Sequence, residues 1–269
     1  MNAETPKPAE LNLPQAFLLL ATNDKDGKPE VPVFALRTTL AGAILAELEL
    51  IGAIELQGKN VRATRAAPPT DFQHELELIR GKSRPHTPKR WVAMLEGRAE
   101  VQRVYERMAA LGIVEHVGEK HLGVFRSTRY PEVDHASKAA LLKKLEAALS
   151  GPPPAPGAPD AKTSDAGAPP STVPDAGTSP STGPDAGTSA AGTPVAGTPT
   201  GAGTPAAPAP DARTTALIAL LQAAGLFGKL FPAADRVRAD ELAKDYWPAR
   251  AVEDELRMIR LAQEEAATL

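Results

Sequence analysis

The segment at residues 22–28 holds side chains that could bind a cation. Asp24, Asp26 and Gly27 have the residue types of a calcium-binding loop. In the EF-hand frame, however, Thr22 would occupy the first ligand position and Val33 the position of the bidentate glutamate, so two key ligands are missing. The pattern therefore predicts a polar turn and no metal site.

The histidines form no recognisable metal or catalytic set; they are His74, His86, His116, His121 and His135. No two of them have metal-ligand spacing on one helix, and only His116 and His121 could face each other across a hairpin. Asp134, His135 and Ser137 have the residue types of a catalytic triad. Neighbours at one helix start cannot adopt nucleophile, base and orienter geometry together. Asp134 is therefore predicted to cap a helix.

Two glutamates on one predicted helix, Glu47 and Glu49, have the side chains needed for acid–base catalysis. Residues two apart do not face each other on a helix, so ordinary solvated or capping charges are expected. The sequence contains no cysteine, P-loop, dinucleotide-binding fingerprint or GxSxG motif. We therefore expect no enzyme and no cofactor.

A basic run lies between Glu77 and Glu96, an interval that contains no acidic residue. Its cationic residues are Arg80, Lys82, Arg84, Lys89 and Arg90. Gly81, Pro85 and Pro88 interrupt the run, which predicts a loop leading into a helix that contains Trp91. Such a patch could bind anionic lipid, at about 1 kcal/mol per basic residue near the surface. A solvated loop is the alternative.

Residues 11–56 contain a complete supersecondary unit. Pro14 at the start of an apolar run predicts a first helix, followed by the polar turn 24–28 and an extended piece at 31–34 that Pro32 interrupts. A second helix ends at Gly52, and residues 54–63 alternate as a short hairpin does. The second helix has one buried stripe, formed by Leu36, Leu40, Ile44, Leu48 and Ile51. Small residues at 41–43 beside this stripe would let a neighbouring helix approach closely.

The later sequence predicts further helices and one more hairpin. Helices are expected around Trp91, at 101–111 ending at Gly112, at 134–149 and at 212–227. Residues 113–125 are predicted to form a hairpin with 118–120 at its tip. The predicted fold class is therefore mainly α, a helical bundle with two short β-hairpins and a long disordered insertion.

That insertion is the segment 151–210. It contains fifteen of the 27 prolines and no aromatic residue, leucine or isoleucine, so it cannot bury enough apolar surface to offset the entropy of ordering. A DAG-containing repeat occurs in it three times at a ten-residue step. The period is too short and too polar for a stacked repeat fold. We predict a disordered N-terminus at 1–10, a linker at 151–210, and one domain built from 11–150 and 211–269.

Charge and hydropathy limit the partners. Outside 151–210 the chain carries 29 basic and 29 acidic residues, which argues against nucleic-acid binding. The N-terminus lacks a secretory signal pattern, and the longest uncharged apolar stretch has 13 residues, too few to span a bilayer. We expect a cytoplasmic location, with any membrane contact peripheral on the cytoplasmic face. The abundance of Ala, Gly, Pro and Arg favours a bacterial source.

The unit at 11–56 resembles the opening of the Golgi phosphoprotein 3 family. The resemblance continues through the Trp91 helix, the helix at 101–111 and the segment 113–130, and it resumes at Asp211. It implies a non-enzymatic module that binds phosphatidylinositol 4-phosphate on membranes. In this family the hairpin corresponding to 113–125 is implicated in membrane contact and self-association, and here its predicted tip carries Glu119 and Lys120.

The family holds the lipid phosphate with one tryptophan and three arginines, and this chain departs from that set. Pro32 takes the place of the tryptophan and Ala41 that of the first arginine, while Arg98 and Val101 fall on the other two arginine positions. A further family arginine matches Arg103. Arg37, one helical turn before Ala41, could supply a displaced guanidinium.

The resemblance therefore predicts a headgroup site formed by Arg98, Arg37 and Arg103, with the basic run as an anionic membrane patch. The expected partner is an anionic phospholipid surface. The alternative is a soluble adaptor of the same fold that binds protein tails and has lost lipid recognition.

Overall fold

A computed structural model describes residues 11–121, 125–150 and 210–268. The first half contains α1 (Leu13–Leu20), α2 (Val33–Leu50), β1 (Ile54–Gln57), β2 (Asn60–Ala63), α3 (Gln73–Arg80), α4 (Pro88–Leu95) and α5 (Arg98–Ala110). Then follow β3 (Val117–His121), β4 (Phe125–Arg129), α6 (Ala136–Ser150), α7 (Ala212–Ala223), α8 (Phe227–Leu230), α9 (Arg236–Ala243) and α10 (Trp247–Thr268). The predicted fold class, mainly helical with two short hairpins, is confirmed. The predicted disordered segments fall outside the described residues, apart from Pro210.

Helix α1 begins where Pro14 predicted a helix start, and all eight of its residues are buried. Asn12 and Gln15 form a capping box before its first turn: the Gln15 N–H donates to Asn12 Oδ1 at 3.0 Å, and the Asn12 N–H donates to Gln15 Oε1 at 3.1 Å. The two side chains satisfy donors that a helix start leaves unpaired.

Helix α2 is the centre of the bundle. The predicted stripe residues Leu36, Leu40 and Ile44 are each at most 3% exposed, and most of the remaining helix is buried too. The small residues at 41–43 have the predicted function: a Cβ added to Gly42 would overlap the Val252 side chain of α10. The missing side chain therefore allows α10 to pack directly on α2.

Two helix starts were predicted wrongly. The extended piece at 31–34 stops at Pro32, whose backbone has ψ 145°, and Val33 is already helical. Proline tolerates the position before a helix because its missing N–H is not needed there. Helix α5 starts at Arg98, three residues before the predicted start at Val101, with Gly97 as its N-cap residue.

The second hairpin exists, but its predicted tip is wrong. Gly118 pairs with Thr128 and Lys120 pairs with Arg126, so the predicted tip residues 118–120 belong to strand β3. Residues 122–124, between the two strands in sequence, lie outside the described part of the chain. His116 precedes β3 and His121 ends it, so the two histidines are not cross-strand partners. The membrane and self-association roles expected for this hairpin remain predictions.

Helices from both sides of residues 151–209 pack together: α10 lies on α2 and α4, and α7 lies on α1 and α2. Glu47 reinforces this junction, because its carboxylate accepts the Leu13 N–H at 2.8 Å and a guanidinium N–H of Arg213 at 2.7 Å. Trp91 of α4 is fully buried, as a core residue should be. No helix in the described ranges is long and apolar enough to cross a bilayer.

Candidate anion-binding groove

A groove of about 310 Å³ lies between α2 and α5. From α2 it is lined by Val33, Leu36 and Arg37, and from α5 by Arg98, Val101, Gln102 and Tyr105. These positions follow the i, i+3, i+4 and i+7 spacing that places side chains on one helical face. The turn at 24–28 and the end of β4 complete the wall.

The groove brings together two of the three predicted headgroup residues, Arg37 and Arg98. Arg37 is half-buried in the second turn of α2, and Arg98 is exposed at the start of α5. Neither guanidinium has an ion-pair or hydrogen-bond partner among the residues that the structure describes. The described groove lining contains no carboxylate. Two guanidinium groups therefore line one groove, and neither is paired with an acidic side chain in the described part of the chain.

Tyr105 and Tyr130 form the aromatic part of the groove. Their rings stack with centroids 4.2 Å apart and planes 2° from parallel. The Tyr105 hydroxyl lies 2.7 Å from Thr22 Oγ1, which itself lies 2.6 Å from the Leu18 carbonyl oxygen. Thr22 has one proton and donates it to Leu18, so Tyr105 donates to Thr22.

Both tyrosines stay neutral at physiological pH. Burial raises the pKa of Tyr105 to about 12, against a smaller opposite effect of its hydrogen bond to Thr22. Burial also raises the pKa of Tyr130, and the nearby carboxylate of Glu106 adds to that rise. The aromatic side of the groove therefore adds no negative charge that would repel an anion.

Gly27 fixes the turn against the end of β4. Its φ is +64°, and the Tyr130 N–H donates to its carbonyl oxygen at 3.2 Å. A Cβ at this position would lie 2.6 Å from the Pro131 nitrogen and 2.7 Å from the Tyr130 nitrogen. Only glycine allows both the left-handed backbone and this close approach. The polar turn predicted at 24–28 is thereby confirmed, and it forms part of the groove wall.

Arg103, the third predicted headgroup residue, lies in a different place. It donates to Glu75 Oε1 at 2.6 Å and to Glu100 Oε1 at 3.2 Å, and the Glu75 side chain is only 4% exposed. It lines a separate cavity of about 390 Å³ whose other charged residues include Asp71 and Arg107. Arg103 lies five residues after Arg98 on α5, and this spacing places its side chain on another face of the helix.

The positions that the resemblance assigned to the lipid phosphate are split between the groove and the core. Val101 lines the groove but offers it only an apolar side chain. Ala41 is 1% exposed, so an anion cannot reach it. Pro32 is exposed beside Val33 at the groove edge. Arg37 is therefore the α2 guanidinium that the groove offers in place of one at Ala41.

The basic run lies at the ends of two helices and on the loop between them. Arg80 ends α3, Lys82 and Arg84 lie on the loop, and Lys89 and Arg90 lie in the first turn of α4. All are exposed except the half-buried Lys89. The run lines none of the groove, so it is a separate surface.

A cation-site candidate that the sequence did not indicate is formed by Asp24, Glu132 and His135, whose ligand atoms lie within 4.8 Å of one another. The ammonium of Lys138 already donates to Asp24 Oδ1 and, at 2.6 Å, to the Thr22 carbonyl oxygen. Lys138 is 7% exposed and supplies a cation to these acceptors. The cluster is explained as an ion pair between the buried Lys138 and the exposed Asp24, which joins the turn to α6.

The remaining catalytic candidates have structural roles. Helix α6 begins at Ala136, so Asp134 lies one residue before the predicted N-cap position, and its carboxylate accepts the Ala136 N–H at 3.0 Å. His135 Nδ1 lies 3.2 Å from a Glu132 oxygen, which is not a triad arrangement. Glu47 caps α1, and Glu49 accepts the indole N–H of Trp247, so neither is a solvated charge. Burial raises the pKa of Glu49.

Sequence reasoning missed the groove residues Gln102, Tyr105, Thr128 and Tyr130. The spacing of Tyr105 from Arg98 was a usable signal, because residues seven apart share a helical face once the helix start is placed at 98. Nothing local indicated Tyr130, which is held in the groove wall by the hydrogen bond from its N–H to the Gly27 carbonyl oxygen.

Comparison with known proteins identifies one family. Residues 13–259 match the sequence profile of the family described as Golgi phosphoprotein 3 (GPP34), which covers nearly all of the chain. No curated protein matches it significantly.

Proposed function

The chain belongs to the Golgi phosphoprotein 3 family, and on that premise we propose that it is a peripheral membrane module that holds a phosphorylated lipid headgroup in the groove between α2 and α5. The headgroup expected from the family is phosphatidylinositol 4-phosphate. The proposal describes a binding protein without a catalytic step, working at the cytoplasmic face of a membrane.

The observation that carries this proposal is the convergence of Arg37 and Arg98 on one concavity that has no carboxylate in its described lining. A guanidinium binds a phosphate through two parallel N–H donors. Arginine that is not engaged by an internal acid can make such contacts without first breaking an ion pair. Each charge-assisted contact is worth about 1.5 to 3 kcal/mol.

The rest of the groove suits a ring that carries hydroxyl groups and a phosphate. Gln102 donates its amide N–H to Glu106 at 2.8 Å, which leaves its amide oxygen available as an acceptor. Thr128 is exposed in the groove wall and offers a hydroxyl. Val33 and Leu36 present apolar surface beside these polar groups.

Vesicle flotation tests the proposal. Phosphatidylcholine vesicles with phosphatidylinositol 4-phosphate should carry the full chain upward, and plain phosphatidylcholine vesicles should not. The double variant Arg37→Gln and Arg98→Gln should lose about 100- to 10,000-fold in affinity, because two charge-assisted contacts disappear. Arg107→Gln is the matched control on the same helix, since Arg107 is paired with Asp71 outside the groove. Equal binding by the double variant and the wild type would refute the proposal.

The soluble adaptor is the second candidate, and it is favoured by one observation: of the four family headgroup residues only Arg98 is retained. This candidate predicts no binding to either vesicle. It also predicts that protein partners recovered with the wild-type chain are recovered equally with the double variant.

A further inference from the structure

We propose that the β1–β2 hairpin and the basic run form one continuous second surface, which binds anionic bilayers through charge alone. We call it the basic face. It consists of Lys59, Arg62, Arg65, Arg80, Lys82, Arg84, Lys89 and Arg90. The first three are additions that follow from the tertiary structure. The inference does not depend on the groove.

Two hydrogen bonds join the hairpin to the basic run. The Val61 N–H of β2 donates to the His86 carbonyl oxygen at 2.9 Å, so the loop before α4 lies beside β2. The Arg80 guanidinium donates to the Thr64 carbonyl oxygen at 3.4 Å. Residues more than 15 positions apart in the sequence thus belong to one surface.

The basic face is not neutralised from within. No ion pair joins any of its eight cationic residues to an acid in the described part of the chain. Three acids lie on the same elements, Glu55, Glu75 and Glu77. Glu75 is buried and paired with Arg103, whereas Glu55 and Glu77 are exposed and hydrogen-bonded by glutamine amides. Gln57 donates to Glu55 at 2.6 Å, and Gln73 donates to Glu77 at 3.0 Å. Eight cations against two exposed carboxylates leave a strong local excess in a chain whose charges are balanced outside residues 151–210.

A bilayer is the occupant that fits best. Seven of the eight side chains are exposed and Lys89 is half-buried. They lie on a hairpin, on a loop and at the ends of two helices, a spread that suits contact with a broad anionic surface. No exposed aromatic residue lies among them to stack a nucleic-acid base. Juxtamembrane clusters of four to eight Lys or Arg residues are typical of binding to anionic lipid.

The basic face and the groove are separate contacts. On the side of the hairpin, Leu50 at the end of α2 lies thirteen residues after Arg37, which corresponds to roughly 20 Å of helix, and β1 starts only at Ile54. That distance exceeds the Debye length of about 10 Å at 0.1 M salt. Changes in the two places should therefore act additively on membrane affinity.

The experiment uses phosphatidylcholine vesicles that contain phosphatidylserine and no phosphoinositide. The triple variant Lys59→Gln, Arg62→Gln and Arg65→Gln should bind on the order of 100-fold more weakly than the wild type, at about fivefold per charge. A triple variant in the other half, Lys82→Gln, Arg84→Gln and Arg90→Gln, should lose a similar amount. Binding of the wild type should fall as salt is added.

The control removes the same net charge elsewhere, through Lys143→Gln, Arg236→Gln and Lys244→Gln. These three exposed residues lie on α6 and α9 or at its end, and none forms an ion pair with a residue that the structure describes. The control should bind as the wild type does. If it loses as much affinity as the hairpin variant, net charge and not the basic face is responsible, and the inference is wrong.

Two further outcomes separate this inference from the proposed function. If the triple variant Lys59→Gln, Arg62→Gln and Arg65→Gln binds phosphatidylserine vesicles as the wild type does, the inference is wrong, whatever the groove binds. Tighter binding of the basic face to a DNA duplex than to these vesicles overturns it as well. A wild-type chain that binds phosphatidylserine vesicles and shows no preference for vesicles with phosphatidylinositol 4-phosphate refutes the groove proposal and supports the basic face.

Discussion

Arg98 and Arg103 lie five residues apart on α5, yet they belong to regions with opposite electrostatics. Arg98 faces a groove without a carboxylate in its described lining, together with Arg37. Arg103 faces a cavity in which Asp71, Glu75 and Glu100 neutralise it and Arg107. The difference shows that the acidic side chains around an arginine decide whether it can bind a ligand. Arg103 is engaged in holding α3 on α5, while Arg98 is available.

Among the predicted variants, the largest loss in the free energy of unfolding is expected from a change in the groove wall. Gly27→Ala introduces a side chain at φ +64° and within 2.7 Å of two backbone nitrogens. We expect a loss of about 3 kcal/mol in the free energy of unfolding, from backbone strain together with the forced movement of Tyr130 and Pro131. Urea denaturation measures it.

Gly58→Ala is the matched control for that variant. Gly58 also has a positive φ, +61°, but a Cβ there would meet no atom within 4 Å. Backbone strain alone should lower the free energy of unfolding of Gly58→Ala by about 1 kcal/mol. Equal losses in the two variants would mean that the contact between the turn and β4 does not stabilise the groove.

The second prediction concerns the two arginines of α5. Arg103→Gln leaves the buried carboxylate of Glu75 without its ion-pair partner and should lower the free energy of unfolding by about 2 kcal/mol. Arg98→Gln removes no contact within the described chain and should change it by less than about 0.5 kcal/mol. Urea denaturation of both variants tests this. A larger loss for Arg98→Gln would contradict the contrast between a ligand-binding and a structural arginine.

The smallest effect is expected from the aromatic part of the groove at alkaline pH. The pKa of Tyr105 is raised to about 12 from the usual 10.0, so its stabilising effect is complete below pH 10 and is lost as the pH rises toward 12. Between pH 10 and 11 the wild type should lose about 1 kcal/mol that Tyr105→Phe does not lose. Denaturation of both chains across this range provides the measurement. Parallel pH profiles would show that Tyr105 is not buried as described.

Much of the fold was readable from local sequence. The α2 stripe, the first hairpin and the turn at 24–28 were predicted correctly, because helical periodicity and glycine turns act within a few residues. The errors were at boundaries. The start of α5 and the tip of the second hairpin were misplaced. The tip was misplaced because polar residues such as Glu119 and Lys120 suit a strand as well as a turn until the partner strand is known.

The candidate site was readable only in part. Arg37 and Arg98 could be named because a family pattern and helix spacing indicated them. Arg103 could not be separated from them, because only the position of Glu75 on α3 shows that it is already paired. The sequence did not indicate that Lys59, Arg62 and Arg65 belong to the same surface as the basic run, because that connection depends on the contact between Val61 and His86.

The sequence by itself therefore determined the helical class, the main elements and the supply of cationic side chains, because these follow from short-range periodicity and composition. The tertiary structure alone decided which of those cations are neutralised. Ion pairing depends on distances of a few ångströms between residues far apart in the chain, and no local pattern encodes such distances. For this reason Arg98 and Arg103, near neighbours in sequence, are a candidate ligand contact and a structural ion pair.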